Sequence, residues 1–248
     1  MNTDKIARYV WKGRHDARWY HQAEELFVDL FGRDRLQLVT RLFAATSINT
    51  SLKANITLFR RALYEIENGL PSEHYLPNIR KQIEQVRAGN ELTGRKINSF
   101  ARAMAGDPDA VVVDVWLLRA FGEDRKYFRK DPKTRGEKVL TLEQYVERYG
   151  AQLALPGRKP EEFSPGARIP QGGHAVKLRG LYRSGGASDA QYTRIENYVR
   201  QEAQAMGVQA RQLSAMIWSG VRIDQSGDRE THYSTILQSH FHNLYNVI

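Results

Sequence analysis

The chain reads as an all-α protein, a two-subdomain helical bundle, and three observations carry that reading. Apolar residues recur at helical spacing through most of the first 121 positions and again after position 188. Gly, Pro and Ser/Asn turns separate these runs at short intervals, and strand-like alternation is scarce. With 248 residues and 41% hydrophobic content, there is material for one large domain or two small ones.

The elements follow in order. Residues 1–31 read as helical, with Tyr9, Val10, Trp19, Tyr20, Ala23, Leu26, Phe27 and Leu30 on one face and Gly32 at the end. A second helix over 34–45 turns Leu36, Leu38, Val39, Leu42 and Phe43 largely inward, and the polar turn Thr46–Thr50 interrupts it. A third over 51–68 buries Leu52, Ile56, Phe59, Leu63 and Ile66 before Gly69-Leu70-Pro71 stops it. A short helix over 77–88 leads through Gly89-Asn90 to a turn at Gly94, and a further helix over 96–104 breaks at Gly106-Asp107-Pro108. After the apolar run Val111–Val113, Asp114 stands where another helix begins.

Beyond Phe121 charge dominates, with Arg125, Lys126, Arg129, Lys130, Lys133, Arg135 and Lys138 against few acids. Thr141 is a candidate cap for a short helix. Residues 156–188 hold most of the irregular Pro and Gly signals, which predict a long loop with a short strand at 175–178. Helices return over 188–207 and 209–221, and a helical tail is predicted from Arg229 to Tyr245. The divisions are 1–33, an N-terminal helix on the C-terminal part; 34–121; a basic, Pro/Gly-rich insertion over 122–188; and a C-terminal helical unit over 189–248.

No apolar run reaches membrane-span length, and Asp4, Lys5, Arg8 and Lys12 interrupt any leader-like start. Cysteine is absent, which excludes disulfides and thiolate metal sites. A cytosolic or nucleoid location and a monomer are expected. The net charge of +9 and pI of about 9.7 favour a polyanionic partner, because neutralised phosphates release counterions. The histidines His232, His240 and His242 fit no compact zinc pattern, so no transition metal is assigned.

The stretch from Glu91 to Arg119 carries the most specific signal. Leu92-Thr93-Gly94-Arg95-Lys96 has the form Leu-x-Gly-x-Lys, and Val113-Asp114-Val115 follows after a helix and a short loop. This resembles the helix-hairpin-helix DNA glycosylase superfamily, which includes endonuclease III and the 8-oxoguanine glycosylases. The Lys-to-Asp spacing agrees with the bifunctional members, Val-Asp-Val with the 8-oxoguanine enzymes, and Arg119 falls where many members carry an arginine. Two features depart from the pattern. The hairpin has one glycine where the family often has two, and Trp116 replaces a common histidine.

The resemblance implies two helical subdomains with a DNA-binding cleft between them, acting on double-stranded DNA as a glycosylase and AP lyase with 8-oxoguanine as the leading substrate. Without cysteines the iron–sulfur cluster of endonuclease III cannot be held, and lysine chemistry needs no external cofactor. A monovalent cation on hairpin carbonyls is what the resemblance allows. Thr93, Gly94 and Arg95 would grip a phosphate, since glycine lets backbone approach closely and helix-start amides point outward. An ordinary helix–helix turn is the plainer reading.

Lys96 is the candidate nucleophile, able to attack the deoxyribose C1′, displace the base and form a Schiff base that permits β-elimination. Asp114 would stabilise the developing oxocarbenium ion, although an N-cap aspartate is structurally sufficient by itself. Asn49, in the turn after the second helix, is placed to fill the space of an extruded nucleotide, and Arg119 to contact DNA. Trp116 and Trp218 are the base-pocket candidates, with Phe241 and Tyr245 behind them, and for Trp218 a core role is the simpler reading. The alternative to an enzyme is a non-catalytic helix-hairpin-helix module that grips DNA.

Overall fold

The computed structural model describes residues 3–48, 50–122 and 187–226, together with the backbone of five short strands between 125 and 184. Outside those strands the regular elements are helices: α1 (Thr3–Gly13), a 3₁₀ turn (Arg14–Asp16), α2 (Trp19–Phe31), α3 (Leu36–Thr46), α4 (Leu52–Glu67), α5 (Pro77–Arg87), α6 (Arg95–Met104), α7 (Val115–Ala120), α8 (Asp189–Met206) and α9 (Ala210–Ser226).

Local chemistry sets several boundaries. Ser51 accepts the Ala54 amide and caps α4, while Pro77 opens α5 at a position where no amide is needed. Ser188 and Gln191 form a reciprocal capping box at the start of α8, and Gly207 closes it in the left-handed conformation.

The run expected as one helix over 1–31 divides at Gly13. An added Cβ at Gly13 would lie 1.9 Å from the Met216 carbonyl oxygen, and one at Gly220 would lie 1.9 Å from that of Tyr9. Helices α1 and α9 therefore cross with their backbones almost touching, and only glycine on each side permits it. The chain then turns through the 3₁₀ segment, so α1 lies on α9 while α2 departs elsewhere.

Buried apolar side chains form two clusters. The first takes α2–α6 and centres on Phe27, Phe43 and Phe59, whose ring centroids stand 5.3–5.9 Å apart at tilted or edge-on angles. The second joins α1, α7, α8 and α9 through Tyr9, Leu117, Val199, Leu213 and Ile217. Between them runs the extended segment Ala110–Val113. Its side chains alternate, with Ala110 and Val112 in the first cluster and Val111 and Val113 in the second. The Tyr192 hydroxyl donates to the Val111 carbonyl (2.9 Å) and accepts from the Val113 amide (3.4 Å), so α8 holds this segment in place.

The segment read as a basic insertion contains more strand than its charge density indicated. Strands β1 (Arg125–Lys130), β2 (Glu137–Leu140) and β5 (Tyr182–Ser184) form an antiparallel sheet in the order β2-β1-β5, with Phe128 opposite Val139 and Tyr127 opposite Tyr182. A second pair joins β3 (Arg168–Gln171) to β4 (His174–Lys177), where the short strand was expected. The predicted helix after Thr141 and the helical tail from Arg229 lie outside the described residues.

Candidate functional site

Helices α5 and α6 meet in a tight turn, and the residues of that turn explain its shape. Gly94 has φ +102° and an open outward side, with nothing within 4 Å of where a Cβ would stand, so backbone conformation and not space requires glycine there. Gln82 of α5 brackets Thr93, accepting from its amide (2.8 Å) and donating to its carbonyl (3.4 Å). Asn98 of α6 donates to the Leu92 carbonyl at 2.6 Å. The Leu92 and Thr93 carbonyls thus each accept a side-chain hydrogen bond within the chain.

The turn delivers two adjacent basic residues in different directions. Arg95 folds onto α8, donating to the Asp189 carbonyl (3.2 Å), the Thr193 hydroxyl (2.8 Å) and Glu196 (2.9 Å), with its guanidinium 4.4 Å from the Tyr192 ring centroid. The residue itself stays exposed, while these contacts hold the guanidinium against α8. The reason is Glu196, largely buried on the facing helix, with Arg200 as its other ion-pair partner. Lys96 instead stands exposed and lines a cavity of about 360 Å³.

Asp114 lines the same cavity. It caps α7, one carboxylate oxygen accepting from the amides of Trp116 (2.8 Å) and Leu117 (3.0 Å). The other oxygen accepts from the Trp218 indole N–H at 2.9 Å. Capping and cavity placement coincide, because the same extended segment that separates the two clusters ends at this residue. Burial pushes the carboxyl above the ordinary carboxylate range, while the Lys96 charge, the two amides and the indole pull it back.

Trp116 and Trp218 both line the cavity and are half-buried. Each carries an arginine over its ring: Arg119 lies 4.4 Å from the Trp116 centroid and Arg222 lies 5.0 Å from that of Trp218. Thr93 is exposed in the α5–α6 turn. Asn49, Phe241 and Tyr245 lie outside the described residues, as do His232, His240 and His242. Among the described residues no group of three or more His, Asp or Glu side chains is arranged to hold a metal ion, and no helix is long and apolar enough to cross a membrane.

Several lining residues were not singled out from sequence. Trp19, Tyr20 and Phe100 complete the aromatic side, with Trp19 and Tyr20 centroids 4.7 Å apart and edge-on. Burial, and then the charge of Asp114, raise the Tyr20 hydroxyl and keep it protonated. Ser47, Thr50, Ser51 and Asn55 form a polar side at the α3–α4 turn. Asn55 carried a readable signal, a polar residue on the inward face beside Leu52, Ile56 and Phe59.

A family model described as a family of unknown function (DUF7178) matches residues 10–138, just over half of the 248. The chain belongs to that family. The DUF7178 match takes in the α5–α6 turn, Lys96, Asp114 and Trp116, and stops before α8 and α9, which supply Glu196 and Trp218. Comparison with curated proteins and with solved structures gave no match.

Proposed function

We propose that this protein is a DNA glycosylase and AP lyase of the helix-hairpin-helix type, acting on a base extruded from duplex DNA. The observation that carries the reading is the meeting of Lys96 and Asp114, from the starts of two successive helices, in one aromatic-walled cavity. Its volume of about 360 Å³ falls in the range of small-molecule sites, roughly 300–1,000 Å³. Two apolar clusters support a two-part reading, although their membership differs from the expected divisions, with α2 in the first cluster and α7 in the second; the cavity draws residues from both.

In this mechanism the amine of Lys96 attacks C1′ and the base departs as the sugar gains positive charge. Asp114 faces that charge as a carboxylate held by three hydrogen bonds, so little reorganisation is needed during reaction. Its raised basicity is in the direction required of a proton acceptor. The ring-opened sugar then carries the lysine as a Schiff base, from which β-elimination nicks the strand. The exposed Gly94 turn leaves backbone free to approach a phosphate. The substrate base remains 8-oxoguanine as the first to be tried.

Borohydride trapping tests this directly. A duplex with an abasic site, and duplexes with modified bases, should form a covalent adduct with the protein that Lys96→Ala abolishes. Salt-dependent duplex binding with no adduct on any of them would refute the enzyme and leave a DNA-gripping module.

A further inference from the structure

The polar side of the cavity has one buried residue whose donors make no hydrogen bond among the described residues. The Ser47 hydroxyl donates to the Ala44 carbonyl (2.7 Å), that of Thr50 to the Thr46 carbonyl (3.2 Å), and Ser51 caps α4. Asn55 differs. It is 3% exposed, and its Oδ1 accepts from the buried Thr46 hydroxyl at 2.6 Å, closer than the Leu42 and Phe43 carbonyls that also lie near that hydroxyl at 3.1 Å. Its Nδ2 makes no hydrogen bond among the described residues, yet Asn55 lines the cavity. A buried amide that has one end fixed and lines a pocket offers its remaining donors to what fills that pocket.

We propose that Asn55 is the specificity-determining donor of this pocket, its Nδ2 hydrogen-bonding an acceptor edge, a carbonyl oxygen or ring nitrogen, of a base stacked among the aromatic residues. The inference rests on reading the cavity as a base pocket and adds which edge of the base is read. Thr46 is the positioning residue, since its hydroxyl decides which end of the amide turns outward. A ligand lacking an acceptor there leaves two donors desolvated, and sites built on such groups discriminate strongly against it.

Isothermal titration calorimetry reads binding. The probes are uracil, hypoxanthine, adenine and 8-oxoguanine, with indole as a flat ring that has no acceptor edge. At least one of the four bases should bind the wild type more tightly than indole. For that base, Asn55→Asp, which keeps the shape and replaces the donor by an acceptor, should weaken binding roughly tenfold or more, as should Asn55→Leu. Thr46→Val should weaken it less. Circular dichroism establishes that each variant is folded, and should Asn55→Leu not fold, the isosteric Asn55→Asp decides.

Equal or tighter binding by Asn55→Asp overturns the proposal, because the acceptor end of the amide would then face the ligand. So does indole binding as well as the bases, or no base binding at all. Borohydride trapping of the wild type on an abasic duplex is read separately. Trapping with Asn55-independent base binding sinks this inference alone; Asn55-dependent binding without trapping sinks the lyase and leaves the base pocket.

Discussion

Replacing Trp218 by phenylalanine isolates a single hydrogen bond at the heart of the site. The indole N–H donates to Asp114 at 2.9 Å, and the variant keeps most of the aromatic surface while removing that donor. A hydrogen bond to an ionised group contributes about 1.5–3 kcal/mol, and water at the cavity can replace part of it, which places the expected loss near the lower figure. The donor favours the charged form, so its loss raises the Asp114 pKa further. The sign follows from the wild type. Burial already holds the folded pKa above the unfolded one, so the stability Asp114 confers is full below the unfolded value and lost as pH rises through the folded value. Trp218→Phe should therefore cost little near pH 3, where the carboxyl is protonated in both proteins, and about 1.5 kcal/mol near pH 8. Urea denaturation at the two pH values measures the difference, and carboxyl-carbon NMR measures the titration. An equal cost at both, or a lowered Asp114 pKa, would refute the account of this carboxylate.

Three further outcomes are expected. Gly13→Ala and Gly220→Ala each push a methyl group into backbone of the crossing helix and should lower stability by about 1–3 kcal/mol or more in chemical denaturation; a neutral result would mean that α1 and α9 do not pack this closely. Asp114→Asn retains a good N-cap but sets an amide N–H₂ against the Trp218 donor, so a modest loss of stability should accompany a fall of about 10²–10⁴-fold in the single-turnover rate of adduct formation on abasic duplex. Arg211 is buried, pairs with Glu24 at 2.9 Å and donates to the Ala103 carbonyl at 3.1 Å; Arg211→Met leaves Glu24 without that partner and should cost about 3–5 kcal/mol in denaturant unfolding.

Much of the helical order was legible because its signals are local. Ser51, Pro77, Ser188 and Gly207 act within a turn of where they stand, and the helices they bound fall close to the expected positions. Asp114 was legible as a cap for the same reason. What sequence did not reveal depends on partners far along the chain. Gly13 looks like a tolerated glycine inside a long helix until Gly220 lies against it. The pairing of Arg95 with Glu196 of α8 spans 101 positions. Trp218 reads as core because aromatic residues at helical spacing usually are, and its bond to Asp114 spans 104 positions. The strands β1 and β2 were hidden by their lysines and arginines, since cross-strand pairing leaves no mark on a short charged run.

The placement of the acid relative to the lysine follows from how the two clusters share one short segment. An extended chain sends successive side chains to opposite faces, so Ala110–Val113 can serve both clusters only while its register is kept, and a slip of one position would exchange every side chain between them. Asp114 ends that segment, which ties its position to both clusters at once. Lys96 starts a helix of the first cluster, and Trp218 belongs to a helix of the second. The distance between amine and carboxylate is therefore set by the seam and not by either cluster alone. Ion pairs cross that seam, among them Arg95 with Glu196 and Arg211 with Glu24. Such pairs contribute little net stability once desolvation is counted, and their geometry fixes position instead. In the proposed function a lysine and an aspartate flank a flipped nucleotide, and such a site needs rigidity at the seam more than additional stability within either cluster.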